Sequence, residues 1–385
     1  MHTSSDNIPT PVKQEMQSEY LEFEKSRVNE LNSVIAKLID EINPKKIFLI
    51  YGKGSFYATK SNSLDVFNQS IIEKIIIKQS NPDTANLIEM LSLFKITSYD
   101  MIIAIGGGSI IDYGKLMIYF TNKNDIYSFI DGNSNSNVKK IPFLAIPTTF
   151  GSGSEATSFA VLYHQKTKFS VTSSFLLPST SIICHELGSS MPDKVLGATI
   201  MDALCQAIEG FWSKNSTELS REYSYKALQL LIPQIENIQL TDKFYKDISL
   251  ASNLAGKSIN IAKTTAAHAL SYYFTMEHNV PHGNAVGLTI VQLFKHNMVS
   301  VFSNDFSNKE IKTIFKELNE LIPNYNFLSG LINNLSTRFN LIMSIKELSS
   351  KINFSDIIKK INLERLANNP VVINNKDILK ILENS

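Results

Sequence analysis

The chain has 385 residues, enough for two domains of ordinary size rather than one small core. Its 37 Lys and Arg against 36 Asp and Glu give a net charge of +1, which leaves no basic footprint for nucleic acid or an anionic membrane surface. No apolar run reaches the ~18–20 residues of a membrane span, and the opening MHTSSDNIPTPVKQ lacks the apolar core of a signal peptide.

In chain order, residues 13–41 carry charged and apolar positions at helical spacing and predict an opening helix. Lys46-Ile-Phe-Leu-Ile-Tyr51 predicts a buried strand, ending in Gly52-Lys53-Gly54-Ser55. Ile75-Ile-Ile77 is a second apolar burst, Ala85–Phe94 a helix, Met101–Ile105 a third strand and Ile141–Ile146 a fourth. The polar run Asp131-Gly-Asn-Ser-Asn-Ser-Asn137 marks an exposed loop. No strand is predicted between 147 and 189. Apolar strands separated by helices predict a parallel sheet covered on both faces.

The texture changes near residue 190. Apolar residues then recur at three and four, as in Met201, Leu204, Ala207, Ile208 and in Ala227, Leu228, Leu231, Ile232. The expectation is an α/β nucleotide-binding domain over 1–189 and an all-α domain over 190–385. Asn324-Tyr-Asn-Phe327 and Asn333-Asn334 read as loops between the later helices. Cys184 and Cys205 lie outside any Cys-x-x-Cys pair, so a reduced, cytoplasmic protein is expected.

Three segments carry candidate chemistry. Gly106-Gly107-Gly108-Ser109 follows a strand and opens a helix containing Asp112, where glycines and free helix N–H groups can cradle a pyrophosphate. It is not the usual G-x-G-x-x-G, and a tight turn of purely structural purpose is the alternative. Pro147-Thr148-Thr149-Phe-Gly-Ser-Gly-Ser154-Glu155 follows the next strand, where ligands bind in open α/β sheets. Asp202 and Gln206 are four apart on one helix face, with His268 and His282 beyond. A carboxylate, an amide oxygen and two imidazoles suit a divalent first-row metal, though each His taken alone also fits a hydrogen-bonded core residue.

Gly-Gly-Gly-Ser-x-x-Asp at 106–112, Pro-Thr-Thr-x-Gly-Ser-Gly-Ser-Glu at 147–155, Met-Asp-Ala-Leu-x-x-Ala-Ile-Glu at 201–209 and His-Ala-Leu…Pro-His-Gly at 268–283 occur in that order. Together they resemble the iron-containing (group III) alcohol dehydrogenases. The late Asn369-Pro370 with Asp377-Ile378-Leu379 adds to a resemblance that covers nearly the whole chain. It implies a dehydroquinate synthase-like architecture with metal and nicotinamide in a cleft between the domains. By that resemblance Asp202, His268 and His282 are metal ligands, and Gln206 stands where the family usually has histidine. Fe(II) is the expected metal, with Zn as the other candidate. Tyr272 occupies a position where the family often has another histidine.

The stretch Asp202–Glu209, then Asn260-Ile-Ala-Lys263-Thr264-Thr265-Ala-Ala-His268 and Pro281-His-Gly283, is similar to the phosphonoacetaldehyde reductases of that family. That similarity implies reduction of phosphonoacetaldehyde to 2-hydroxyethylphosphonate, with Lys263, Thr264 and Thr265 holding the phosphonate. The metal would polarise the aldehyde and the nicotinamide would supply hydride, with the proton coming from water, the cofactor ribose or Tyr272. No carboxylate follows the first predicted strand, so Lys53 and Ser55 are free to take a 2′-phosphate and NADPH is favoured over NADH. Lys168 matches a family lysine near the nicotinamide ribose. A homodimer acting on a small aldehyde or alcohol is expected. The competing expectations are a general iron-type alcohol dehydrogenase acting on uncharged aldehydes, a dehydroquinate synthase-type lyase, and a non-catalytic nucleotide-binding relative.

Overall fold

The computed structural model describes residues 21–25, 27–54, 71–78, 81–95, 98–133, 141–165, 167–348, 352 and 354–385. Six strands form one parallel sheet: β1 (Leu21–Lys25), β2 (Ile47–Gly52), β3 (Ile72–Ile77), β4 (Met101–Gly106), β5 (Phe143–Pro147) and β8 (Thr180–Cys184), in the order β1-β8-β5-β4-β2-β3. Alternation along the strands explains the layering. Ile47, Leu49, Met101, Ile103 and Ile105 point to one face and pack on helix α1 (Val28–Ile42). Phe48, Ile50, Ile102 and Ala104 point to the other, beneath α2 (Thr84–Leu93), α3 (Gly108–Tyr119) and α4 (Lys123–Ile130).

Two parts of this layer depart from the sequence expectation. The opening helix predicted over 13–41 begins only at Val28. Leu21–Lys25 is instead an edge strand in register with β8, Leu21 opposite Thr180 and Lys25 opposite Cys184. In Leu-Glu-Phe-Glu-Lys the apolar residues alternate with charges, so the period is two and the edge of the sheet captures the segment. The predicted residues 13–20 lie outside the described residues, as do Ser55 and the 134–137 part of the polar loop. The second departure covers the stretch from 147 to 189, where no strand is predicted: β8 joins the sheet there, and β6 (Phe159–His164) pairs with β7 (Thr167–Thr172) as an antiparallel hairpin.

From Asp193 onward the elements are helical. They are α5 (Asp193–Trp212), α6 (Glu218–Glu236), α7 (Asp242–Ala262), α8 (Ala266–His278), α9 (His282–Val301), α10 (Lys309–Leu321), α11 (Tyr325–Phe339), α12 (Phe354–Lys359), α13 (Leu363–Ala367) and α14 (Asn375–Glu383). From Leu196 to Trp212 helix α5 is buried almost all round, as befits the central helix of a bundle. The asparagine segments read as loops belong to α11. Asn324 is its N-cap, accepting from the Asn326 and Phe327 N–H groups, and Asn333-Asn334 occupy its exposed face. Leu328, Leu331, Ile332, Leu335 and Phe339 supply an apolar stripe that outweighs the poor helix propensity of asparagine. Among the described residues no helix is long and apolar enough to cross a membrane.

The sheet and the helices meet at the Pro147–Glu155 loop. Gly153 has a φ of 58° and lies against Gly256 of α7 so closely that a Cβ on either would strike the other's backbone. Asn253 of α7 donates to Glu155 (3.2 Å), and the Ser158 N–H and hydroxyl both donate to Asn260 (2.8 Å each).

Candidate active site

A cavity of about 420 Å³ opens where these two layers meet. Gly108, Ser109, Asp112, Thr149 and Ser154 line one end, and Asp202, Gln206, His268, Tyr272 and His282 the other. The structure therefore joins the glycine turn and the predicted metal cluster in one space. Gly106 and Gly107 close the end of β4 and cap α3 without lining the cavity, and Thr148 is buried and outside the lining. Gly52 and Lys53 lie at the C-terminal end of β2, also outside the lining.

The inner face of α3 anchors the segment that follows β5. Asp112 accepts from the Ser154 hydroxyl (2.6 Å) and the Val161 N–H (2.9 Å). One turn later, fully buried Lys115 donates to the carbonyls of Ser154 (2.6 Å), Thr157 (2.8 Å) and Phe159 (2.9 Å) and to the Thr157 hydroxyl (2.9 Å). Burial pushes the Lys115 ammonium down to about 8, against the opposing pull of Asp112 and Glu155.

The metal-cluster end is built on three helices. Ligand atoms of Asp202, His268 and His282 lie within 4.8 Å of one another. Gly283 lets the N-terminus of α9 seat directly on α5, because a Cβ there would collide with the Ala198 carbonyl and Asp202. His268 Nε2 faces Asp202 Oδ1 at 3.3 Å, while its Nδ1 meets Glu209. The Glu209 carboxylate, fully buried, also accepts from the Thr265 hydroxyl (2.6 Å) and the Ala267 N–H (2.8 Å). This carboxylate–imidazole pair fixes the ring so that Nε2 points at the cluster. Burial works against charge on His268, but Glu209 and Asp202 hold its pKa up to about 9. His282 is pushed down to about 3 by burial and by Lys168, so it stays neutral with a free lone pair.

Gln206 completes the set. Its side chain hydrogen-bonds Asp202, yet its Oε1, buried and on the cavity wall, has no hydrogen-bond partner among the described residues. An orphaned buried carbonyl oxygen beside a carboxylate and two imidazoles is a donor set that fits a divalent cation.

The residues expected around the substrate separate. Thr265 is fully buried and lines neither cavity; its hydroxyl is occupied by Glu209 and by the Trp212 indole N–H (3.1 Å). Thr264 lines the main cavity and receives a hydrogen bond from Arg365. Lys263 lines an adjoining cavity of about 100 Å³, with its ammonium 4.7 Å above the Phe159 ring. Burial, aided by Arg365, lowers its pKa to about 8. Its backbone adopts φ 60°, ψ 168°, a conformation that costs a non-glycine residue about 1–3 kcal/mol. Asn368 clamps that turn by donating to the Ala262 (2.8 Å) and Thr264 (3.1 Å) carbonyls.

Lys168, on β7, lines both cavities with its ammonium 3.9 Å from the centre of the Tyr272 ring. Burial would raise the Tyr272 pKa, but Arg365, Lys168 and His268 outweigh it and hold the phenol below its ordinary value. Tyr272 stacks near His282, with ring centroids 6.3 Å apart.

Two site residues escaped the sequence reading. Glu209 had a usable signal, lying seven residues after Asp202 and thus on the same helix face. Arg365 had none: α13 reaches the cavity only through the tertiary fold, roughly a hundred residues beyond the turn it contacts.

The comparisons with known proteins agree with this architecture. Residues 21–184 match the iron-containing alcohol dehydrogenase family, and residues 197–385 match the C-terminal region of the Fe-containing alcohol dehydrogenase family. A 1,3-propanediol dehydrogenase of Citrobacter freundii is 29% identical over 280 residues, 70% of this chain and 72% of that protein. A phosphonoacetaldehyde reductase of Streptomyces viridochromogenes is 27% identical over 248 residues, 59% of this chain and 60% of that protein. The crystal structure of a sulfoacetaldehyde reductase from Bifidobacterium kashiwanohense with NAD+ superposes with a TM-score of 0.78 at 23% identity, covering 95% of this chain and 96% of that one. The chain belongs to the iron-containing alcohol dehydrogenase family: it is an alcohol dehydrogenase acting with a nicotinamide nucleotide and a divalent metal on small alcohols and aldehydes.

Proposed function

We propose that this enzyme reduces phosphonoacetaldehyde to 2-hydroxyethylphosphonate, with NADPH as the preferred reductant. The observation that carries the reading is the cationic flank of the metal-cluster cavity, where Lys168 and Arg365 line the wall and Lys263 stands beside Thr264. An uncharged aldehyde has no use for such a flank, and a dianionic tail does. Relatives named for phosphonoacetaldehyde and sulfoacetaldehyde support the same substrate class.

Asp202, Gln206, His268 and His282 would hold the metal, with Glu209 orienting His268. When bound, the metal supplies Lewis acidity toward a carbonyl oxygen and the reduced nicotinamide supplies the hydride. The chain's own residues do the rest. The 106–109 turn and the 148–154 loop bind the nucleotide, with Asp112 and Lys115 holding that loop. Lys263 and Thr264 retain the phosphonate. Tyr272, its phenol made more acidic by Lys168 and Arg365, donates the proton that the alcohol oxygen gains. For cofactor choice, Gly52, Lys53 and Gly54 close β2 without a carboxylate, which admits the 2′-phosphate of NADPH.

The test is the rate of NADPH oxidation by metal-loaded enzyme with phosphonoacetaldehyde and, separately, butanal. A kcat/KM at least about 100-fold higher for the phosphonate matches one well-placed charged contact of about 2–5 kcal/mol. Equal or better turnover of butanal leaves a general alcohol dehydrogenase and removes the phosphonate.

A further inference from the structure

The smaller cavity adjoins the metal-cluster cavity, and the two share the lining residues Phe159, Val161, Lys168, Thr264, Tyr272 and Arg365. Its lining collects three cations, Lys168, Lys263 and Arg365, from three separate elements. Glu364 is the one carboxylate in that lining and is itself solvent-exposed. Among the described residues none of the three cations makes an ion pair, whereas exposed surface lysines such as Lys226 and Lys360 do. Three converging positive charges, one of them nearly desolvated, repel one another unless an anion sits between them. Ser170, Thr172 and Asn215 add neutral hydrogen-bonding groups to the same lining. Arg365 occupies the shared wall and is tethered there by its hydrogen bond to Thr264.

We propose that this second cavity is an oxyanion subsite, and that Arg365 is the residue that selects substrates bearing a phosphonate-like group. The proposal rests on the aldehyde-reductase reading above and extends it. The carbonyl of a short bifunctional substrate lies at the metal cluster, and its tetrahedral anion passes the Arg365–Thr264 wall into the basic compartment. Planar, bidentate guanidinium donors suit such an anion better than a lone ammonium.

The experiment has two arms on metal-loaded protein, with saturating NADP+ for the binding arm and saturating NADPH for the rate arm. Calorimetry reads binding of inorganic phosphate, and initial rates read the ratio of kcat/KM for phosphonoacetaldehyde over butanal. Arg365→Met is expected to weaken phosphate binding at least about 10-fold and to lower the ratio about 100-fold, with Arg365→Lys recovering part of both. If Arg365→Met does not fold, Lys263→Met reads the same two quantities at another cation of the lining. Unchanged phosphate affinity and an unchanged ratio in a folded variant overturn the subsite. Loss of phosphate binding in Arg365→Met, with a wild-type enzyme that does not favour phosphonoacetaldehyde, upholds the subsite and overturns the phosphonate substrate alone.

Discussion

Gln206 and Glu209 lie one turn apart on α5, and each bears on the metal cluster differently. Gln206 offers a neutral amide oxygen with no hydrogen-bond partner among the described residues, while Glu209 works at one remove by fixing the far side of His268. An amide oxygen holds first-row metals less tightly than imidazole. Gln206→His is therefore expected to raise affinity for Fe(II) or Zn(II) by about 10-fold or more. Glu209→Gln, which weakens the acceptor behind His268, is expected to lower it by about 10–100-fold. Competition against a chromogenic chelator measures both, and two unchanged affinities would contradict these roles. Asp202 and Gln206, four apart, were legible as one helix face, whereas His268 and His282 stood out only through the ordered motifs of the family resemblance. The sequence was silent on what surrounds them. Thr265 looked like a substrate contact beside Lys263, yet its hydroxyl turns inward to Glu209 and Trp212, because the α7–α8 turn reverses direction at Lys263.

Helix α3 shows how one element positions two loops. Asp112 and Lys115, three residues apart, grip the Ser154–Val161 segment from the same face, and that segment leads into the hairpin carrying Lys168. Replacing Lys115 by Met strands three buried carbonyls, so a loss of about 3 kcal/mol or more is expected, along with a weaker hold on NADPH. Thermal unfolding should fall by roughly 5 °C or more. A Lys115→Met protein with unaltered melting and NADPH affinity would remove this anchoring role. The hairpin and β1 were the elements hardest to read. Phe-Ala-Val-Leu-Tyr-His and Thr-Lys-Phe-Ser-Val-Thr are short and mixed in polarity, and their pairing is with each other rather than with the sheet. Strands β2 and β4, buried on both faces, declared themselves as continuous apolar runs.

At the scale of the molecule, the site exists because distant segments converge on one cleft. The glycine turn after β4, the hydroxyl-rich loop after β5, the three metal-cluster helices and the short α13 contribute to it together. The first three were readable as ordered motifs; the contribution of α13 depends on Asn368 and Arg365 meeting the Lys263 turn, a contact no local pattern encodes. On the proposed function, the same convergence puts the reaction under the control of one cation held by Asp202, Gln206, His268 and His282. The most direct test strips the protein with a chelator and titrates Fe(II) back anaerobically while following NADPH oxidation by phosphonoacetaldehyde. A rate near zero without metal is expected, rising to a plateau at one equivalent per chain. A rate indifferent to metal would contradict that control.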